Sequence, residues 1–142
     1  MLEGKTVLVT GAAKGIGKAI ALAFAKQGCN IVLNYRSNVS DDTIKEIEAY
    51  NVKCMPLQGD VSDFATAAEI VKKAKKEFGT VDVLVNNAGI NIPRLLVDPK
   101  DPKGQYELDE AVWDKVCNVN LKGVFFCAQA VGRILVEKGE GV

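Results

Sequence analysis

The sequence predicts an α/β fold: a doubly wound parallel sheet with helices on both faces. Three features predict it. Short apolar, β-branched runs alternate with stretches of helical spacing, the connections between them are short, and a glycine-rich turn joins the first run to the first helix. Right-handed crossovers with a switch point beside the first strand give the strand order 3-2-1-4, a Rossmann-type arrangement.

Each element follows from its residues. Thr6-Val7-Leu8-Val9-Thr10 is a buried parallel strand that ends at Gly11. Ile16 to Gln27 repeats Ile16, Ile20, Ala23 and Phe24 at helical spacing, and Gly28 stops the helix. Asn30 to Tyr35 is the second strand, with Ile31, Val32 and Leu33 at its core. Ser40 caps a helix to about Tyr50 that turns Ile44 and Ile47 inward. Val52 to Leu57 is the third strand. Ser62 caps the next helix, which runs to Phe78 with Ala67, Ile70, Val71 and Ala74 on one face. Lys72, Lys73, Lys75 and Lys76 make its opposite, solvated face, and Gly79 ends it. Val81 to Val85 is the fourth strand and runs into Asn86-Asn87-Ala88-Gly89.

Residues 90–107, with Pro93, Pro99, Pro102 and Gly104, break the rhythm as a long loop, a length usually kept for function. Asp109 then caps one long helix to about Lys138, apolar at Val112, Val116, Val119, Leu121, Val124 and Phe125. Gly139 and Gly141 close it. Val142 reads as the first residue of a fifth strand, so the sheet is expected to be truncated before that strand forms.

Composition narrows the function classes. The 142 residues suit one domain, 1–142, able to bury a core without staples. Lys plus Arg and Asp plus Glu are 18 each, so no net field draws the chain to nucleic acid or membrane. The absence of histidine removes the commonest metal ligand and the commonest acid/base side chain. Cys29, Cys54, Cys117 and Cys127 form no C-x-x-C pair and read as reduced thiols, with no metal site. Met1-Leu2-Glu3-Gly4-Lys5 lacks a basic-plus-apolar leader, and no apolar stretch approaches the length of a membrane span. A cytoplasmic protein with a small-molecule partner, and without nucleic-acid or membrane partners, is the expectation.

The chemistry sits in the turn after the first strand, Gly11-Ala12-Ala13-Lys14-Gly15-Ile16-Gly17. Gly11 permits the tight turn, Gly15 admits a pyrophosphate against the backbone, and Gly17 lets the helix approach the strand. The free N–H groups at the helix start then face the anion. Ala13, Lys14 and Ile16 belong to the same cradle. At the end of the second strand, where an acidic residue would hold the ribose 2′-OH of NAD, stand Asn34, Tyr35 and Arg36. No carboxylate is there to repel a 2′-phosphate, and Arg36 and Lys14 can pair with one. The expected cofactor is therefore NADP(H), with NAD(H) possible.

The spacing Thr10-Gly11-x-x-x-Gly15-x-Gly17 resembles the short-chain dehydrogenase/reductase family. Three further motifs in the family's order carry the resemblance along the whole chain. Asp60-Val61 is similar to its adenine-contacting pair, Asn86-Asn87-Ala88-Gly89 to its N-N-A-G turn, and Asn118-Val119-Asn120-Leu121-Lys122-Gly123 to the segment bearing its structural-catalytic Asn. The resemblance implies that Asp60, Val61, Asn87, Ala88 and Gly89 join the cofactor site and that Asn120 is catalytic. It implies an oxidoreductase interconverting a carbonyl and a secondary alcohol, and a homo-oligomer joined through the last helix. The string Ile92-Pro93-Arg94-Leu95-Leu96-Val97-Asp98, with Tyr106-Glu107-Leu108, resembles sorbitol-6-phosphate 2-dehydrogenases, in which Arg94 or Lys103 would meet a sugar phosphate. The first ninety residues look equally like 3-oxoacyl-acyl-carrier-protein reductases.

In the family, the resemblance implies, proton transfer uses a Ser after the fifth strand and a Tyr-x-x-x-Lys on the following helix, and no Tyr-x-x-x-Lys occurs in this sequence. Tyr35, Tyr50 and Tyr106 are followed four residues on by Val39, Cys54 and Glu110. The chain as given is thus expected to be the front portion of a longer enzyme, inactive by itself and prone to aggregate along its open fourth strand. A non-catalytic dinucleotide-binding module is the reading of another class.

Overall fold

The computed structural model describes residues 2–101 and 103–142; the expectations for Met1 and Pro102 lie outside the described residues. The elements are β1 (Thr6–Val9), α1 (Gly15–Lys26), β2 (Asn30–Tyr35), α2 (Asp41–Glu48), β3 (Cys54–Gln58), α3 (Phe64–Phe78), β4 (Val83–Val85), α4 (Glu110–Cys117), a π-helical turn at Asn118–Lys122, and α5 (Gly123–Lys138). All strand pairs are parallel and the order is β3-β2-β1-β4, as the connections require. Leu8 lies opposite Val32 on one side and Leu84 on the other.

Alternation along the strands divides the core into two layers. Val7, Val9, Ile31 and Leu33 face α1 and α2, where they meet Ala21, Ala25 and Ile47. Leu8 and Val32 face the other way, onto Ile70, Val71 and Ala74 of α3 and Val131 and Ile134 of α5. Both faces are covered, so the central runs Val7–Val9 and Ile31–Leu33 are apolar at every position.

Several local expectations are corrected. Helix α1 buries Gly17, Ala21 and Ala25 while Ile16 is 75% exposed. Its sheet-facing stripe is made of small residues, because the helix packs close to β1. The cap of α3 is Asp63, whose carboxylate accepts from Thr66 N–H at 2.7 Å. Ser62 is held in the preceding turn, its N–H and hydroxyl both donating to Asp60 Oδ1 at 2.9 and 2.7 Å. Ser40 and Asp109 do cap α2 and α4, accepting from Thr43 N–H and Val112 N–H.

The last helix runs unbroken for 29 residues, Glu110–Lys138, and is long and apolar enough, by length and composition, to cross a membrane. That corrects the expectation that no stretch reaches such a length; its charges are merely spaced widely. Here it buries a stripe at Val119, Gly123, Cys127, Val131 and Ile134 against the domain, and leaves Trp113, Leu121 and Phe125 more than half exposed. Val142 donates to Asp82 O at 2.9 Å and accepts from Leu84 N–H at 2.8 Å, the pattern of a fifth parallel position beside β4.

All four cysteines are free thiols. Burial pushes Cys54 up to about 12, with Glu48 adding to it, and Cys127 up to about 11. Among the described residues, no three His, Cys, Asp or Glu side chains converge on a metal position.

Candidate dinucleotide site

A crevice of about 560 Å³ opens at the carboxyl ends of the strands, where the switch between β1 and β4 leaves room. Its floor is built by neutral side chains that tie strand ends together. Thr10 Oγ1 accepts from Asn87 N–H and Ala88 N–H, both at 3.0 Å. Asn87 Nδ2 donates back to Thr10 O at 2.9 Å and Gly11 O at 3.2 Å. The two turns are so close that a Cβ on Gly11, whose φ is +64°, would stand 2.9 Å from Ala88 Cα.

The start of α1 points at this space. Gly11, Ala13, Lys14 and Gly15 line the crevice, which places the N-terminus of α1, with the N–H groups its first turn leaves without helical partners, at the crevice wall. Gly17 and Ile16 do not line it. Gly17 is instead the contact of α1 with the floor: a Cβ there would lie 2.5 Å from both Asn87 Nδ2 and Gly11 O.

Asn34 is where the sequence reading needs correction. Its side chain is buried. Nδ2 donates to Leu57 O at 3.2 Å and Gly59 O at 3.1 Å, while Oδ1 accepts from Gly11 N–H at 3.4 Å. It therefore locks the ends of β1, β2 and β3 together and is not turned toward a ribose. Tyr35, Arg36, Ser37 and Asn38, the residues after it, line the crevice.

Asp60, Val61, Asn87, Ala88 and Gly89 line the remaining walls with Gly59, Ile90 and Val119. Val61 is also the seat of α5, since a Cβ on Gly123 would approach its Cγ2 to 3.0 Å. Asn120 lies in the π turn, a distortion that often marks functional helices. Its amide grips the backbone of Ile90 from both sides: Oδ1 accepts from Ile90 N–H and Nδ2 donates to Ile90 O, each at 2.8 Å. Asn120 thus holds the turn after β4 rather than lining the crevice.

Comparison with known proteins decides the family. Residues 5–142 match the short chain dehydrogenase family. The chain belongs to that family. It is 38% identical over 139 residues to the 3-oxoacyl-acyl-carrier-protein reductase FabG of Staphylococcus epidermidis, covering 96% of this chain and 53% of that protein. It is 40% identical over 144 residues to the L-rhamnose 1-dehydrogenase (NAD(P)(+)) of Sphingomonas, covering 99% and 53%. The NADPH-dependent 3-quinuclidinone reductase of Rhodotorula rubra superposes with a TM-score of 0.86 at 30% identity, covering 99% of this chain and 50% of that one. The chain spans about half the length of these relatives.

The short-chain dehydrogenase crevice therefore contains most, but not all, of the residues singled out from sequence. Ser37, Asn38, Gly59, Ile90 and Val119 were missed. Thr10 was legible as the head of the glycine motif, but not as the tie it makes to Asn87 and Ala88. Ser37 and Asn38 carried only their place after Arg36.

Proposed function

We propose that this chain holds the dinucleotide site of an NADP(H)-dependent oxidoreductase that interconverts a carbonyl and a secondary alcohol. The observation that supports the cofactor reading is one crevice in which the α1 N-terminus, Lys14, Arg36 and Ser37 meet, with no carboxylate at the end of β2. The Gly11–Gly17 turn would hold the pyrophosphate, Arg36 and Lys14 the 2′-phosphate, and Asp60 and Val61 the adenine end. The bound nicotinamide would supply or accept the hydride. Asn120, by fixing Ile90, would set the wall beside which that ring must lie.

For the substrate we propose a polyol or sugar phosphate, which the loop string around Arg94 favours. A 3-oxoacyl thioester is the second reading, favoured by the similarity to the Staphylococcus reductase. Assembly as a homo-oligomer through the last helix, in the cytoplasm, belongs to the same proposal; the exposed Trp113, Leu121 and Phe125 supply an apolar surface for it.

Fluorescence titration with NADPH and NADH tests the cofactor reading. Tighter binding of NADPH is expected, and Arg36→Ala should weaken it about ten- to a hundredfold, the loss of one charge-assisted contact, with NADH little changed. Equal affinities, with no loss in Arg36→Ala, would overturn it.

A further inference from the structure

Gln58 is the last residue of β3 and pairs in register with Tyr35, the last residue of β2. Beyond this pair the backbones part: Gly59 N–H still donates to Tyr35 O at 2.8 Å, and β3 then turns into Asp60 and Val61. The side chain of Gln58 continues the ladder that the backbone abandons. Its Nε2 donates to Arg36 O at 3.1 Å and to Ser37 O at 3.4 Å. The carbonyls of the two residues that flank the expected 2′-phosphate position are thereby fastened to the neighbouring strand.

We infer that Gln58 is a positioning residue for cofactor discrimination: it touches no cofactor and acts by holding the Arg36–Ser37 turn against the crevice. This rests on the NADP(H) reading above. The physical reason is geometric. A turn after the end of a strand has no ladder of its own, and an arginine on a loose turn pays ordering entropy each time it closes on an anion. With both carbonyls anchored, the turn is organised before the ligand arrives. The anchor is exposed, so losing it removes little fold stability, and its effect should fall on the ligand that needs Arg36.

The test compares Gln58→Met, which keeps length and loses the donors, with Arg36→Ala and the double variant, each titrated with NADPH and with NADH. Gln58→Met is expected to weaken NADPH about three- to tenfold, the range of one ordinary hydrogen bond, and to leave NADH nearly unchanged. In the Arg36→Ala background the same substitution should cost NADPH nothing further, since the residue acts through Arg36. A merely structural role would lower both affinities together and would persist in the double variant. Equal loss of both cofactors, or no loss at all, while Arg36→Ala still selectively weakens NADPH, would overturn the role of Gln58 and leave the NADP(H) reading standing. If Arg36→Ala itself costs nothing, the NADP(H) reading fails and this inference with it.

Discussion

Replacing Gly17 by alanine sets two effects of opposite sign against each other. On helix propensity alone the substitution should stabilise by about 1 kcal/mol, since Gly17 lies within α1. The packing says otherwise. The new methyl would lie 2.5 Å from Asn87 Nδ2 and from Gly11 O, and 3.0 Å from Ala12 Cα. Two of these neighbours are backbone and cannot swing away, so overpacking costs about 2 kcal/mol. Displacing the Asn87 amide also loosens its bonds to Thr10 O and Gly11 O, at about 1 kcal/mol each. The balance is a net loss of about 2–3 kcal/mol. For a chain of this size that is a fall of roughly 6–10 °C in the melting midpoint. Thermal denaturation measures it, with Gly132→Ala as the control: that glycine is in α5 with open space around it, and alanine there should raise the midpoint. NADPH affinity should fall with Gly17→Ala as the pyrophosphate turn is pushed off the floor. A midpoint raised by Gly17→Ala, as in the control, would refute the claim that close approach at Gly17 builds the site.

Two further outcomes concern the opposite end of the sheet. Asp82 is buried and accepts from Thr6 N–H at 2.7 Å and from the Lys138 ammonium. Asp82→Ala leaves that N–H unpaired and should cost about 3 kcal/mol in denaturant unfolding, with Asp82→Asn intermediate because it keeps an acceptor. Glu140 is held down to about 2 by its hydrogen bonds to Lys138 and Lys5. Its stabilising contribution is complete above the ordinary carboxylate value, near 4.5, and disappears as pH falls toward about 2. Glu140→Gln should flatten the fall of the melting midpoint across that acid window, and salt should shrink the difference because the pair is exposed.

The architecture was legible because both of its periods are local. Apolar runs such as Val7-Leu8-Val9 and the stripe Ala67, Ile70, Val71 and Ala74 can be read without knowing what they touch, and strand order follows from handedness. Closure between distant turns was not legible. Asn34 lies near the end of β2, after the apolar run Ile31–Leu33, at the place a ribose ligand should hold, and nothing nearby in sequence says that Leu57, Gly59 and Gly11 will claim its amide. Ser62 and Asp63 are both good caps, and the choice between them was made by Asp60, which takes the serine for its own turn. The inward face of α1 was misjudged for a related reason. Periodicity weighs large apolar residues, whereas a helix that must approach a strand closely selects small ones.

The two ends of the sheet are fastened by different chemistry, and the difference bears on function. At the amino ends the ties are ionic: Lys5, Asp82, Lys138 and Glu140 form one network beneath the last helix. At the carboxyl ends the ties are neutral: Thr10, Asn34, Asn87 and Asn120 each bond backbone atoms of another segment. Asp60, the acidic residue in the crevice wall, has one oxygen already engaged by Ser62. Lysines fastening the upper turns would compete with a bound phosphate for their own carboxylate partners, and those carboxylates would repel it. Amide and hydroxyl clamps rigidify the same turns without adding charge. The cations lining the crevice are then Lys14 and Arg36, neither tied by a salt bridge among the described residues, so on the proposed function an anion would bind there without an ion pair having to break first.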